Sequence, residues 1–288
     1  MRIAAAALAA GACASARLAG TAVETIRTPD LRAPARVRVL LPPSYDTDRN
    51  RRYPVLYFLH DGYGTEKSLW THGVAADVQA RMADGRLPEF LIVAPGARGS
   101  WFSDSHDGKN RWEHFLSAEL PRRVDARYRT LPDRASRGIT GISMGGYGAV
   151  KLAIKHPELY GSVSSLSGAL IPFGWEDLKR YSFVARYTLK RVFGSKPDDN
   201  SLDANDVWRM LWAAHYDTPP FPLYLRGGTE DMYGLGRVAV QFAAFSHEHG
   251  FAATAVLEPG GHDWDYWRRA LIGIFEWHAS QFSYDSSR

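Results

Sequence analysis

The stretch Arg137–Lys151, RGITGISMGGYGAVK, constrains this chain more than any other. Gly138 to Ile142 is a short apolar run that reads as a strand. From Met144 or Gly145 onward, small residues read as a helix. Ser143 stands on the turn between them, and Gly141, Ser143 and Gly145 fall at the spacing G-x-S-x-G. A serine on a sharp strand-to-helix turn is forced into a strained backbone conformation, and small neighbours two residues to either side relieve the crowding. The turn leaves the hydroxyl exposed at the carboxyl end of a strand and the amino end of a helix, whose free N–H groups favour an anion. Taken alone, the pattern also suits a plain glycine-rich turn. To act as a nucleophile, Ser143 needs a base, an acid and an oxyanion hole from the rest of the chain.

The rest of the chain alternates apolar runs with helical periodicity. Val37–Leu41, Val55–Leu59, Phe90–Ala94, Gly161–Leu166, Pro222–Leu225 and Thr254–Leu257 read as strands. Val55–Leu59 is apolar throughout, as in a strand buried on both faces. Helical spacing covers Ala75–Met82, Trp112–Tyr128 with a kink at Pro121, the segment after Ser143 to about His156, Val238–His249 and Tyr266–Gln281. This alternation predicts an α/β fold with a mostly parallel central sheet flanked by helices, as one domain over 17–288. Residues 171–219 break the rhythm with a helical insertion before the Pro222–Leu225 strand. It carries Trp175, Tyr181, Phe183, Tyr187, Trp208 and Trp212, and reads equally as a lid or as ordinary packing helices.

The N-terminus, MRIAAAALAAGACASARLAG, places Arg2 before an alanine-rich apolar run and offers Ala14-Ser15-Ala16 as a small-residue cleavage site. Residues 1–16 therefore read as an export signal for a periplasmic or extracellular protein. The alternatives are lipidation at Cys13, although Ala10 stands where leucine is usual, and an alanine-rich tail. Cys13 is the only cysteine. Cleavage after it leaves no disulfide, cysteine nucleophile or thiolate metal site. The net charge of +4 is spread along the chain as mixed signs, which argues against nucleic-acid binding. Outside the N-terminus, no apolar run is long enough to span a bilayer.

In a doubly wound sheet, functional groups gather on the loops that leave the carboxyl ends of strands. Of the ten histidines, His262 fits best. It follows the last strand behind Gly260-Gly261 and comes after the serine. His60 and His106 precede the serine, His156 and His278 belong to helix segments, and His247 and His249 read as exposed helix residues. Asp231 and Glu230 both follow the Pro222–Leu225 strand as candidate acids. Asp263 and Asp265 lie too close to His262 in sequence and suit helix capping. An oxyanion hole needs two backbone N–H groups aimed at one point. Met144, directly after the serine, supplies one. Tyr63, between Gly62 and Gly64 in the loop after Leu59, is the candidate for the other, although this loop also suits a plain turn.

Several segments together resemble one family: YPVLYFLHDGYG, the WFSDS loop, RWEHFLSAELPRRVDARYRT, RGITGISMGGYGAVKLAIKHPELYGSVSSLSG, GGTED and GGHDWDYW. They are similar to the secreted serine esterases of the α/β-hydrolase fold. That family includes feruloyl and acetylxylan esterases, S-formylglutathione hydrolases, enterochelin esterases and mycolyltransferase antigens. The resemblance runs from about Val37 to Trp277. It implies Ser143 as nucleophile, Asp231 as acid and His262 as base, with Tyr63 and Met144 as the oxyanion hole and no cofactor or metal. One departure is Asp61-Gly62, where many members have His-Gly; the mycolyltransferase members share Asp-Gly. The implied activity is hydrolysis of a carboxylic ester of a small molecule or an acylated carbohydrate. S-formylglutathione, a cytosolic substrate, does not suit an exported protein. The alternatives are an acyltransferase with the same triad and a catalytically silent protein that binds a glycan or lipid.

Overall fold

The computed structural model describes residues 20–172, 183–195, 201, 204–214, 216 and 220–284. The expected export signal, Cys13, Trp175 and Tyr181 lie outside the described residues. Eight strands form the sheet: β1 (Thr21–Ile26), β2 (Ala35–Leu40), β3 (Val55–Leu59), β4 (Leu91–Gly96), β5 (Arg137–Gly141), β6 (Ser162–Leu166), β7 (Leu223–Gly228) and β8 (Ala253–Glu258). Their order across the sheet is β1-β2-β4-β3-β5-β6-β7-β8. β2 runs antiparallel to β1 and β4, and the pairs from β4 to β8 are parallel. β3, β5 and β6 are buried at every position, as covering helices on both faces require.

The helices described are α1 (Ser68–Thr71), α2 (Val74–Ala83), α3 (Trp112–His114), α4 (Leu120–Arg127), α5 (Met144–Lys155), α6 (Phe183–Phe193), α7 (Val207–Ala213), α8 (Leu235–Glu248) and α9 (Trp264–Gln281). Side chains alternate across the strands and so feed two cores. Val55, Tyr57 and Leu59 join Leu120, Val150 and Phe242 under α4, α5 and α8. Leu56 and Phe58 join Val74, Val78, Leu271 and Phe275 under α2 and α9.

The order of the strands positions the site. β3 is followed by β4 on one side, and the chain then crosses to place β5 on the other. The winding direction therefore reverses between β3 and β5. The loops leaving their carboxyl ends diverge to opposite faces and open a crevice.

The structure revises three expectations. β1 was not anticipated, because its mixed, partly exposed pattern at the sheet edge gives little apolar periodicity. Trp112–Tyr128 is not one kinked α-helix. The chain widens into a π-helical turn over Phe115–Glu119, and Pro121, which has no N–H to donate, falls in the first turn of α4. Among the described residues of the 171–219 insertion, two helices differ in role. α7 is a packing helix, capped by Asp206, whose carboxylate accepts the Trp208 N–H at 2.8 Å. Trp208 packs on Phe242 and Phe245 with ring centroids 5.0 Å away. α6 buries Leu189 and Val192 and turns Ala185 and Thr188 toward the crevice.

Candidate active site

Ser143 sits between β5 and α5 with φ 54° and ψ −113°, a region that non-glycine residues rarely occupy. Its two glycine neighbours explain how the turn closes. A Cβ on Gly145 would lie 2.1 Å from the Leu59 carbonyl oxygen of β3, and one on Gly141 would lie 2.3 Å from Gly145 itself. Backbone therefore packs directly on backbone. The Ser143 N–H donates to Leu166 O of β6 at 2.9 Å, and the Ala169 N–H donates to Ser143 O at 3.0 Å. The strained turn is held from the neighbouring strand.

The loops after β7 and β8 bring the next two residues together. The Thr229 N–H donates to Glu258 O at 2.9 Å, and the Glu230 N–H donates to Gly260 O at 3.0 Å. Asp231 and His262 then meet, with Asp231 Oδ2 2.8 Å from His262 Nδ1. On its far side, His262 Nε2 lies 2.9 Å from Ser143 Oγ. A proton on Nδ1, held by the carboxylate, leaves Nε2 as the acceptor for the serine hydroxyl. The Asp231 side chain is fully buried, and its other oxygen accepts the Tyr233 N–H at 2.9 Å. Glu230, the other candidate acid, is exposed.

Two aromatic rings that sequence reasoning did not single out hold the imidazole. Tyr233 and Trp267 each meet His262 edge-on at 4.9 Å, with interplanar angles of 87° and 84°. Trp267 Nε1–H donates to Ser167 Oγ at 3.2 Å. The signal for Trp267 was the spacing in GGHDWDYW: a tryptophan one helical turn beyond the α9 cap lies under the preceding loop. Asp263 is that cap, accepting the Tyr266 N–H at 2.9 Å.

The two expected oxyanion donors differ. The Met144 N–H, at the start of α5, makes no hydrogen bond among the described residues. The Tyr63 N–H donates to Asp61 Oδ2 at 3.2 Å. His60 braces this loop. The Ala97 N–H donates to His60 Nε2 at 2.9 Å, and His60 Nδ1 lies 2.7 Å from Asp61 O. The imidazole is thus neutral with its proton on Nδ1, and burial pushes its pKa below the usual histidine value. The structure therefore makes His60 a link between the β3 and β4 loops. His278 is buried between Ser162 and Ser164, at 2.8 Å from each. His249 bonds its own helix through Phe245 O at 2.8 Å.

A buried ion pair ties the segment after β4 to α5, the helix that begins after Ser143. Lys151 on α5 is fully buried, with Nζ 2.8 Å from Glu113 Oε2, and it also bonds Ser103 Oγ. Lys155 pairs with the same carboxylate. Burial raises the Glu113 pKa, but the two ammonium groups outweigh it and hold the carboxyl down at about 2. Trp101, two residues before Ser103, is thereby fixed in the wall of a cleft of about 660 Å³ that contains Ser143 and His262.

Residues 28–278 match the family described as "Putative esterase". An esterase of Mycobacterium tuberculosis is 36% identical over 135 residues, which cover 46% of this chain and 28% of that one. The chain thus spans less than a third of that relative's length. An acetyl esterase of Caldicellulosiruptor saccharolyticus is 25% identical over 218 residues, covering 72% of this chain and 80% of that one. Among solved structures, a ferulic acid esterase superposes with a TM-score of 0.77 at 25% identity, over 91% of this chain and 98% of its own. An S-formylglutathione hydrolase from Staphylococcus aureus superposes with a TM-score of 0.71 at 18% identity, over 90% of this chain and 99% of its own. The sheet, the helices on both its faces and these superpositions identify the α/β-hydrolase fold, and the chain belongs to the "Putative esterase" family.

Proposed function

We propose that the protein is a serine esterase that cleaves a carboxylic ester through an acyl-enzyme on Ser143. The observation that carries this reading is the unbroken hydrogen-bonded chain from Asp231 through His262 to Ser143, set beside the Met144 N–H at a helix N-terminus. His262 takes the serine proton as Oγ attacks the carbonyl carbon. In this reading the oxyanion of the tetrahedral intermediate accepts from the Met144 N–H and from the Tyr63 N–H, which gives up its bond to Asp61 Oδ2. His262 then gives its proton to the departing alcohol, and Ser143 keeps the acyl group. A water molecule, deprotonated by His262, attacks that acyl group, and His262 returns the proton to Ser143 Oγ as the acid leaves. Asp231 keeps the imidazole in the tautomer that each step requires.

No helix among the described residues is long and apolar enough to cross a membrane. The alanine-rich N-terminus supports export, so the proposed substrate is an ester met outside the cytoplasm. The test is turnover of p-nitrophenyl acetate by the enzyme and by Ser143→Ala, with fluorophosphonate labelling of both. The reading expects the variant to lose turnover and labelling while keeping its circular dichroism spectrum. Undiminished turnover by the variant would overturn it.

A further inference from the structure

The cleft has two unlike walls, one from each face of the sheet. On one side stand Trp101, Ala169, Ile171, Ala185, Thr188 and Val238. Trp101 and Ala169 belong to the core beneath α5 and α8, and Ala185 and Val238 pack against it. On the other side stand Thr65, Ser68, Thr71, His72 and Trp264. They come from the β3 loop, α1 and its C-cap, and the head of α9, and Trp264 packs against the opposite core. Ser143 and His262 lie between the two walls.

The walls differ in what they offer a ligand. In the first, the only side-chain donors among the described residues are already used. Trp101 Nε1–H donates to Thr188 Oγ1 at 2.9 Å, and the Thr188 hydroxyl donates to Ala185 O at 2.9 Å. The other side chains named on that wall, Ala169, Ile171, Ala185 and Val238, are hydrocarbon. The second wall is built around a stacked pair, His72 on Trp264, with ring centroids 3.9 Å apart and planes within 3°. The His72 ring nitrogens have no hydrogen-bond partner among the described residues, and three hydroxyl-bearing side chains flank the pair. A hydroxyl buried against these side chains would lose water without gaining a free side-chain donor from them, whereas a methylene chain there gains burial at no polar cost.

Resting on the esterase reading, we propose that the Trp101–Ala185–Val238 wall binds an aliphatic acyl chain of about six to ten carbons without a terminal hydroxyl, in a cleft of drug-ligand size. The alcohol half of the ester lies along the His72–Trp264 wall, where hydrogen-bonding groups remain available. This assignment disfavours a short acyl group, which leaves the apolar wall uncovered.

The test is kcat/KM for p-nitrophenyl esters from acetate to decanoate, together with methyl octanoate against methyl ferulate. The expected result is a rise of about tenfold or more from acetate to hexanoate or octanoate, and a similar preference for methyl octanoate over methyl ferulate. Ala185→Trp is expected to lower the octanoate-to-acetate ratio by about tenfold. Val238→Phe reports on the same wall if that variant fails to fold. A flat or falling chain-length profile, preference for ferulate, or equal loss on every ester in both variants would overturn the proposal. Labelling of Ser143 without turnover of any chain length would overturn it too, leaving the serine chemistry standing. Absence of both labelling and turnover would instead overturn the esterase reading, and this proposal with it.

Discussion

Asp61 Oδ2 accepts the Tyr63 N–H at 3.2 Å, so one of the two proposed oxyanion donors is shared with a carboxylate. Asp61 is nearly buried, and its other oxygen has no hydrogen-bond partner. A carboxylate so close to a developing oxyanion opposes it electrostatically. Asp61→Asn keeps an oxygen for the Tyr63 N–H and removes the charge. The expected outcome is a kcat about threefold to tenfold higher on p-nitrophenyl acetate. A fall in kcat would mean that the charge itself orients the loop.

Trp267 holds His262 from one side and is itself held by Ser167. Trp267→Leu removes both the ring and the indole N–H. Its kcat is expected to fall by about tenfold to a hundredfold, because small displacements of the proposed base are costly. The rate of fluorophosphonate labelling should fall in parallel, and Trp267→Phe, which keeps a ring, should recover part of both. Unchanged labelling by the leucine variant would leave Trp267 with a packing role only.

Gly145 has no room for a side chain, since a Cβ would lie 2.1 Å from Leu59 O on the central strand. Moving β3 away from α5 disturbs a region buried on both faces. Gly145→Ala is expected to lose about 3 kcal/mol or more, read as a fall in Tm of about 6 °C or more. A Tm within a degree of the parent protein would contradict this packing argument.

His278 contributes a pH dependence to stability. Burial pushes its pKa down to about 3 in the folded protein, against about 6.5 when unfolded. Below pH 6.5, the unfolded chain binds the extra proton first. The stabilisation is therefore complete above that pH and is lost progressively as the pH falls toward 3. The expected slope from this residue is about 1.4 kcal/mol per pH unit in that window. Urea denaturation at pH 7 and pH 5 measures it, and His278→Gln should flatten the difference by about one proton.

The parts legible in the sequence were those with short-range causes. The strand-turn-helix at Ser143 is announced by glycines whose absence of a side chain the local packing demands. β3 is announced by five consecutive apolar residues, and Asp263 by its place before a helical run. Glu230 and Asp231 could not be separated by spacing alone, since both follow the same strand. The resemblance favoured Asp231, and in the fold this is the side chain that turns inward to His262 while Glu230 faces outward. β1 was missed because an exposed edge strand carries little apolar signal.

The sequence by itself determined the alternation of strands and helices, the strained serine turn and the residue types that a nucleophile, a base and an acid require. Those features follow from neighbours a few positions apart. Only the tertiary structure decided which groups meet. The reversal of winding between β3 and β5 opens the crevice. Side chains 119 residues apart in sequence, His262 and Ser143, then come within a hydrogen bond. The same folding buries His60 as a brace, sets Asp61 on the Tyr63 N–H and places an apolar wall opposite a polar one. These are long-range contacts, fixed by how the strands order and which face each loop leaves by, and no local pattern along the chain encodes them.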